Sequence, residues 1–137
     1  MQNIFSKLKN HKLIIPAVII AVALLISISI FFGFFDKFFI KRSFEKAFFY
    51  RAVGNCDAFV QYIAKDQDKW RDRCIEEKKR DGAAIPVKDF KVLRINYVRQ
   101  DKKAFLQVQL TRDEKSYVVN YEVVKEGLFN WKITNEI

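Results

Sequence analysis

Residues Leu13–Phe35 read LIIPAVIIAVALLISISIFFGFF. The stretch carries no charged residue, and Ser27 and Ser29 are its polar interruptions. Its twenty-three residues, wound as an α-helix, rise about 34 Å, enough to cross the roughly 30 Å hydrocarbon core of a bilayer. In such a helix Pro16 falls in the first turn, where its missing N–H costs little. Gly33 is a small residue of the kind frequent in membrane helices. Two other readings fit less well. A buried core helix needs protein around it, and a chain of 137 residues is too short to surround one. A cleaved signal peptide has an apolar run of about 7–15 residues and then a small-residue cleavage site. Here the run is longer and ends Phe31-Phe32-Gly33-Phe34-Phe35. The stretch therefore reads as an uncleaved transmembrane anchor over 13–35, with a basic tail, 1–12, before it and one domain, 36–137, after it.

The charge divides accordingly. The whole chain has a formal net charge of +9, and Lys7, Lys9 and Lys12 precede the anchor while every acidic residue follows it. The domain thus holds 22 basic and 16 acidic residues, a net +6. Finely mixed charge of that size suits an anionic membrane surface or acidic partners. It lacks the dense basic stripe of a nucleic-acid binder. Basic residues flank the anchor on both sides, Lys37, Lys41, Arg42, Lys46 and Arg51 following it, so the positive-inside bias leans slightly toward a cytoplasmic domain. A short basic tail leading into an apolar run argues for export instead, as does the cysteine pair below. The expected placement is a single-pass inner (cytoplasmic) membrane protein with its N-terminus in the cytoplasm and its C-terminal domain extracytoplasmic.

Along the domain, Asp36–Arg51 alternates clusters of Phe and Tyr with Lys and Arg. Aromatic rings favour the membrane–water boundary and long basic side chains reach head groups, which makes Phe38, Phe39, Lys41 and Arg42 candidate membrane-surface residues. The same pattern also suits the apolar face of a core helix. Phe49, Ala52, Val53, Cys56, Phe59, Val60 and Ile63 recur at spacings of three and four, which predicts that the helix continues through Ala64. Gly54 inside it marks a bend or a close approach. A turn at Lys65–Gln67 leads to a second helix, Asp68–Arg80, with Trp70, Cys74 and Ile75 inward and a solvated charge run on its other faces. Asp81-Gly82 ends that helix.

From Val87 the period changes from about 3.6 to 2. Strands are predicted over Lys88–Arg99, Ala104–Thr111, Ser116–Val124 and Leu128–Thr134. In the first, the apolar phase slips by one residue after Val92, the mark of a bulge. The connections are short enough to force antiparallel neighbours. The fold class is therefore α+β: a transmembrane helix, then a two-helix hairpin packed on a bent four-stranded antiparallel meander sheet.

The last hairpin, Tyr121-Glu122-Val123-Val124-Lys125-Glu126-Gly127-Leu128-Phe129-Asn130-Trp131-Lys132-Ile133, resembles the closing strands of the nuclear transport factor 2-like superfamily. Asp89-Phe90-Lys91-Val92 is similar to that family's entry into its long bent strand. The resemblance covers residues 44–137 and implies a cone-shaped α+β fold. This chain departs from it in a short helical half, two helices where many members have three and an extra strand. Membrane-anchored, extracytoplasmic members resemble bacterial envelope and secretion components that act as scaffolds.

Cys56 and Cys74 lie nine residues to either side of Lys65, so an antiparallel hairpin turning there sets them face to face. A disulfide would close a loop of about eighteen residues and stabilise the fold by about 3 kcal/mol. The alternative is two buried, inert thiols. Two Cys with no His in the domain make an incomplete zinc shell, so no metal is expected. No cofactor is expected, and no catalytic residue. The single His is His11 in the tail, there is no Gly-rich phosphate loop, and no acid shares a face with the tyrosines that might serve as donors. Trp70, Tyr97, Tyr117, Tyr121 and Trp131 are core candidates that would line any small-molecule pocket. On the other sheet face Asn96, Phe105, Gln107, Gln109, Val118, Asn120 and Lys132 form a mixed polar–apolar surface suited to a protein partner or a second copy. The functional expectation is a non-catalytic scaffold of a cell-envelope or secretion assembly that contacts lipid bilayer and protein, but no nucleic acid. The alternative is a module that holds a small apolar or lipid-like molecule between helices and sheet.

Overall fold

The computed structural model describes residues 2–31, 33, 35–79 and 85–137. The chain divides into two compact units, Met1–Phe35 and Asp36–Ile137, the boundary that the end of the apolar stretch suggests.

The first unit is helix α1, Gln2–Phe31. It starts well before Leu13, so Pro16 stands in the helix interior rather than in a first turn. Gly33 lies in the left-handed region, φ 71°, and its N–H bonds Ile30 O at 3.0 Å. The helix therefore stops short of Phe35; Phe32 and Phe34, inside the expected span, lie outside the described residues. Apolar side chains such as Ile15, Ile19 and Leu25 are exposed. Ser27 and Ser29 donate their hydroxyls to the carbonyls of Ala23 and Leu25, each at 2.8 Å, which satisfies both without solvent. Among the described residues, no helix is long and apolar enough to cross a membrane. The side chains described for α1 are those of residues 14–30, and the uncharged sequence extends beyond them at both ends.

The second unit is α+β, with three helices, α2 (Asp36–Ala52), α3 (Cys56–Val60) and α4 (Gln67–Lys78). Its sheet follows as β1 (Asp89–Val98), β2 (Lys103–Arg112), β3 (Lys115–Lys125) and β4 (Trp131–Glu136), an antiparallel meander in the order β1-β2-β3-β4. The expected two-helix hairpin becomes three helices because the first one breaks at Gly54. That residue sits at φ 72°, and Asn55 N–H reaches back to Tyr50 O at 2.8 Å, a Schellman-type stop. Asn55 then caps α3 by accepting from Ala58 N–H at 3.2 Å. The break also shifts the buried stripe. Ile40, Phe44, Ala47, Phe48 and Arg51 face the core, whereas Phe49, Ala52 and Val53 are exposed. In α4 Trp70, Cys74 and Glu77 are buried and Ile75 is exposed. Arg80 and the stop expected at Asp81-Gly82 lie outside the described residues.

The sheet follows its sequence pattern closely. Val92 pairs with Val108 and Arg94 with Gln107, so Leu93 is the extra residue of the expected bulge. The bulge restores Ile95 and Tyr97 to the side of Phe90 and Val92, opposite Leu106, Ala104, Leu110 and Val108. Strand β4 begins later than expected. Glu126 N–H bonds Asn130 O at 2.8 Å and Gly127 has φ 87°, so Leu128 and Phe129 belong to the turn and are exposed rather than on a strand. The free edge of β4 is covered: Ile133 N–H bonds Tyr62 O and Ala64 N–H bonds Ile133 O, both at 2.8 Å. The core joins Phe44, Phe48, Phe59, Val60 and Ile63 to the sheet's Leu106, Val108, Leu110, Tyr121 and Ile133.

Candidate functional site

Two buried polar groups tie the helices to the sheet. The first centres on Glu77, whose carboxylate accepts from Arg51 Nε at 2.9 Å, Arg51 Nη2 at 2.7 Å and Arg112 Nη1 at 2.8 Å. Arg73 Nε stands 4.0 Å away. Arg112 also donates to Ile85 O and to the Tyr117 hydroxyl. The Arg51 guanidinium lies 5.3, 5.5 and 5.7 Å from the ring centres of Phe48, Phe59 and Trp70, a cation inside an aromatic cage. Burial alone would raise the Glu77 pKa, but hydrogen bonds and charge from Arg51 and then Arg112 hold it below the ordinary carboxylate value. Burial likewise works against the Arg51 charge, and Glu77 overcomes it, leaving the Arg51 pKa raised. Nη1 of Arg51 and the hydroxyl of Tyr121 are buried and have no partner among the described residues. Burial pushes the Tyr121 pKa up, with Glu136 adding to it.

The second group centres on Asp36, the first residue of α2. It accepts from the Tyr97 hydroxyl at 2.6 Å and from Lys125 Nζ at 2.7 Å. Burial, then the hydrogen bond and charge of Asp36, push the Tyr97 pKa up to about 12. An acid therefore does meet one of the inward tyrosines, contrary to expectation. It arrives from the helix rather than from the sheet, and it is buried and neutralised by Lys125. The expected solvated charge run on α4 is corrected in the same way at Glu77. Neither residue carries a local signal for this, since each hydrogen-bonded partner lies 26 or more positions away in sequence. The stripe Ile40–Phe44–Phe48–Arg51 was the legible hint.

Cys56 and Cys74 are joined in a disulfide, with Cα atoms 5.6 Å apart. The five pocket candidates do not line one cavity. Tyr97 meets Trp131 edge-on at 5.6 Å, and Tyr121 packs on Phe44 and Phe48 at 5.3 and 5.2 Å. Tyr117 is exposed. Trp70 alone of the five borders a described cleft, of about 470 Å³, with Asp66, Lys69, Arg73, Thr134 and Glu136 among its other walls. That cleft is lined by charge, with Arg73 and Glu136 paired across it at 3.1 Å.

The interface candidates do come together. Asn96 is opposite Phe105, Gln107 opposite Asn120 and Gln109 opposite Val118, on the sheet face away from the helices. Arg94, Asn96, Phe105, Gln107 and Asn120 border a shallow hollow of about 130 Å³. Lys132 stands apart on β4, paired with Glu126 at 2.8 Å. Of the membrane-surface candidates, Phe38, Lys41 and Arg42 are exposed and Phe39 is partly buried. Lys41 pairs with Glu45 at 3.7 Å. Among the described residues, no cluster of three or more His, Cys, Asp or Glu side chains is placed to hold a metal ion.

The chain is similar in fold to the crystal structure of a DUF4783 family protein from Bacteroides ovatus, with a TM-score of 0.50 and 15% sequence identity over 66% of this chain and 88% of that one. At that identity the likeness concerns the fold alone. No protein-family model matches the chain, and no curated protein matches it.

Proposed function

We propose that this chain is a membrane-anchored, non-catalytic scaffold: a single apolar helix holding a nuclear transport factor 2-like domain outside the cytoplasm, where its outer sheet face binds protein. The observation that carries the reading is the uncharged stretch Leu13–Phe35 leading directly into a compact, disulfide-closed unit. Exposed aliphatic side chains on α1 suit lipid better than water. Ser27 and Ser29 are satisfied within the helix, as a lipid environment demands. A disulfide persists best in an oxidising compartment. The resemblance of the last hairpin and of the bulged first strand to the superfamily supports the domain assignment. For partner binding, the supporting feature is the uncovered face around Phe105 and Val118, both exposed among Asn96, Gln107 and Asn120, a mixture typical of non-obligate interfaces.

The test is affinity capture of the full-length chain from detergent extracts, with native mass spectrometry of the product. A defined oligomer or stoichiometric protein partner that disappears in Phe105→Asp/Val118→Asp, with unchanged circular dichroism, supports the reading. A monomer without partner contradicts it. The second reading, a ligand-binding module, is favoured by the cleft beside Trp70. Its charged lining suits a polar ligand rather than a lipid-like one, and a retained small molecule in the same spectra is its signature.

A further inference from the structure

We propose that Phe38, Phe39, Leu128 and Phe129 form a foot that rests in the head-group region of an anionic bilayer. The inference rests on the anchor reading and adds a second point of membrane contact, supplied by a distant part of the chain. Phe39 and Phe129, ninety positions apart in sequence, have ring centres 4.9 Å apart, and Phe38 meets Phe39 edge-on at 5.5 Å. This continuous group is largely uncovered. Phe38 is 58% exposed, Leu128 57% and Phe129 43%. The turn that carries Leu128 and Phe129 stands open, with nothing within 4 Å of where a Cβ on Gly127 would lie.

Basic residues neighbour the rings in sequence and in the adjoining turn. Lys37 and Lys41 are exposed on α2, Lys41 with Glu45 at 3.7 Å. Lys102 is exposed in the adjoining β1–β2 turn, whose Lys102 carbonyl accepts from Lys125 N–H at 2.9 Å. Asp101 shares that turn, and Glu126 is neutralised by Lys132. At the opposite end of the sheet the β2–β3 turn presents Asp113 and Glu114 instead. Exposed aromatic and aliphatic groups with lysines nearby are what an interfacial element needs: rings enter the boundary layer while ammonium groups reach lipid phosphates. The occupant is a bilayer rather than a protein because Phe38 follows the apolar stretch by three residues of sequence. The Asp36 clamp to Tyr97 and Lys125 ties the start of α2, which carries Phe38 and Phe39, to the strand that leads into the Leu128–Phe129 turn.

The test uses the full-length chain reconstituted in phosphatidylcholine vesicles carrying about one-third phosphatidylglycerol. Leu128→Cys, Phe38→Cys and, as control, Lys115→Cys are each labelled with an environment-sensitive fluorophore without reductant. Lipids spin-labelled near the head group are the quencher. The proposal expects blue-shifted emission at positions 128 and 38, reduced to roughly half or less by the quencher because an interfacial group sits about 5–10 Å inside the boundary. The control at 115 stays unquenched. Vesicle flotation with positions 128 and 115 equally unquenched overturns the foot and leaves the anchor standing. A blue-shifted but unquenched label at 128 means a protein covers the foot, which also overturns it. Failure to float with the vesicles removes the anchor and the foot together.

Discussion

The Glu77 group and the Asp36 group do the same job with opposite chemistry. Each fixes a helix to the sheet through one buried carboxylate. At Glu77 that carboxylate faces Arg51 and Arg112 directly and Arg73 at longer range, so removing the acid leaves two closely held cations without a counter-charge. At Asp36 the carboxylate meets one ammonium and one neutral phenol, so the loss strands a single, partly solvated charge. The difference teaches which end of the domain is the keystone. Glu77 joins α2, α4 and β2 beside the disulfide, whereas Asp36 aligns only the start of α2 with β1 and β3.

Glu77→Ala carries the greatest cost. Breaking a buried charge pair from one side costs about 3–5 kcal/mol, which in a small domain threatens folding itself. Urea unfolding of the detergent-purified chain, followed by fluorescence of Trp70 and Trp131, measures it. A loss under about 1 kcal/mol would show that the arginines relax into solvent, since exposed pairs are worth little more. Opening the Cys56–Cys74 bond by reduction comes next, at about 3 kcal/mol for a loop of this size, read by the same unfolding curve. Asp36→Ala should cost about 2 kcal/mol, a hydrogen-bonded buried carboxylate lost beside a single cation and a neutral phenol. If it costs more than Glu77→Ala, the ranking of the two ends is reversed.

The pH dependence sharpens the contrast because the signs differ. The folded pKa of Glu77 is lowered from its ordinary 4.5. Its contribution is therefore present above 4.5 and is lost as pH falls through the depressed folded value, giving an acid limb to the stability profile. The folded pKa of Tyr97 is raised from 10.0 to about 12. Its contribution is complete below 10 and disappears as pH climbs toward about 12, giving an alkaline limb. Tyr97→Phe should reduce the alkaline limb, leaving the part that buried Tyr121 contributes, and leave the acid limb unchanged, as read by thermal melts across pH. The smallest effect is Gly54→Ala, about 1 kcal/mol for a side chain at positive φ, because the Lys78 side chain 3.2 Å away can move.

Features written in local periodicity were legible in the sequence. The phase slip at Leu93 announced the bulge, because period-2 alternation leaves no other place for an extra residue. The equal spacing of Cys56 and Cys74 about Lys65 announced their pairing, because a hairpin turns spacing into proximity. The paired face of Asn96, Phe105, Gln107 and Asn120 followed from alternation alone. What stayed hidden was long-range and polar. Glu77 reads as one more member of a solvated charge run, and Asp36 carries no signal of its own, since nothing local distinguishes a carboxylate that meets its cation across the core. The helix break at Gly54 turned the buried stripe from Phe49 to Phe48, and one residue's rotation moved Arg51 inside. Alternation alone puts Phe129 on a strand because it continues through a turn closed by a backbone hydrogen bond, Glu126 N–H to Asn130 O.

The proposed role requires that the stretch Leu13–Phe35 hold this domain to a bilayer. Alkaline carbonate extraction of membranes from cells expressing the full-length chain tests it most directly. The chain should remain in the membrane pellet and be released only by detergent. Recovery in the carbonate supernatant would contradict it.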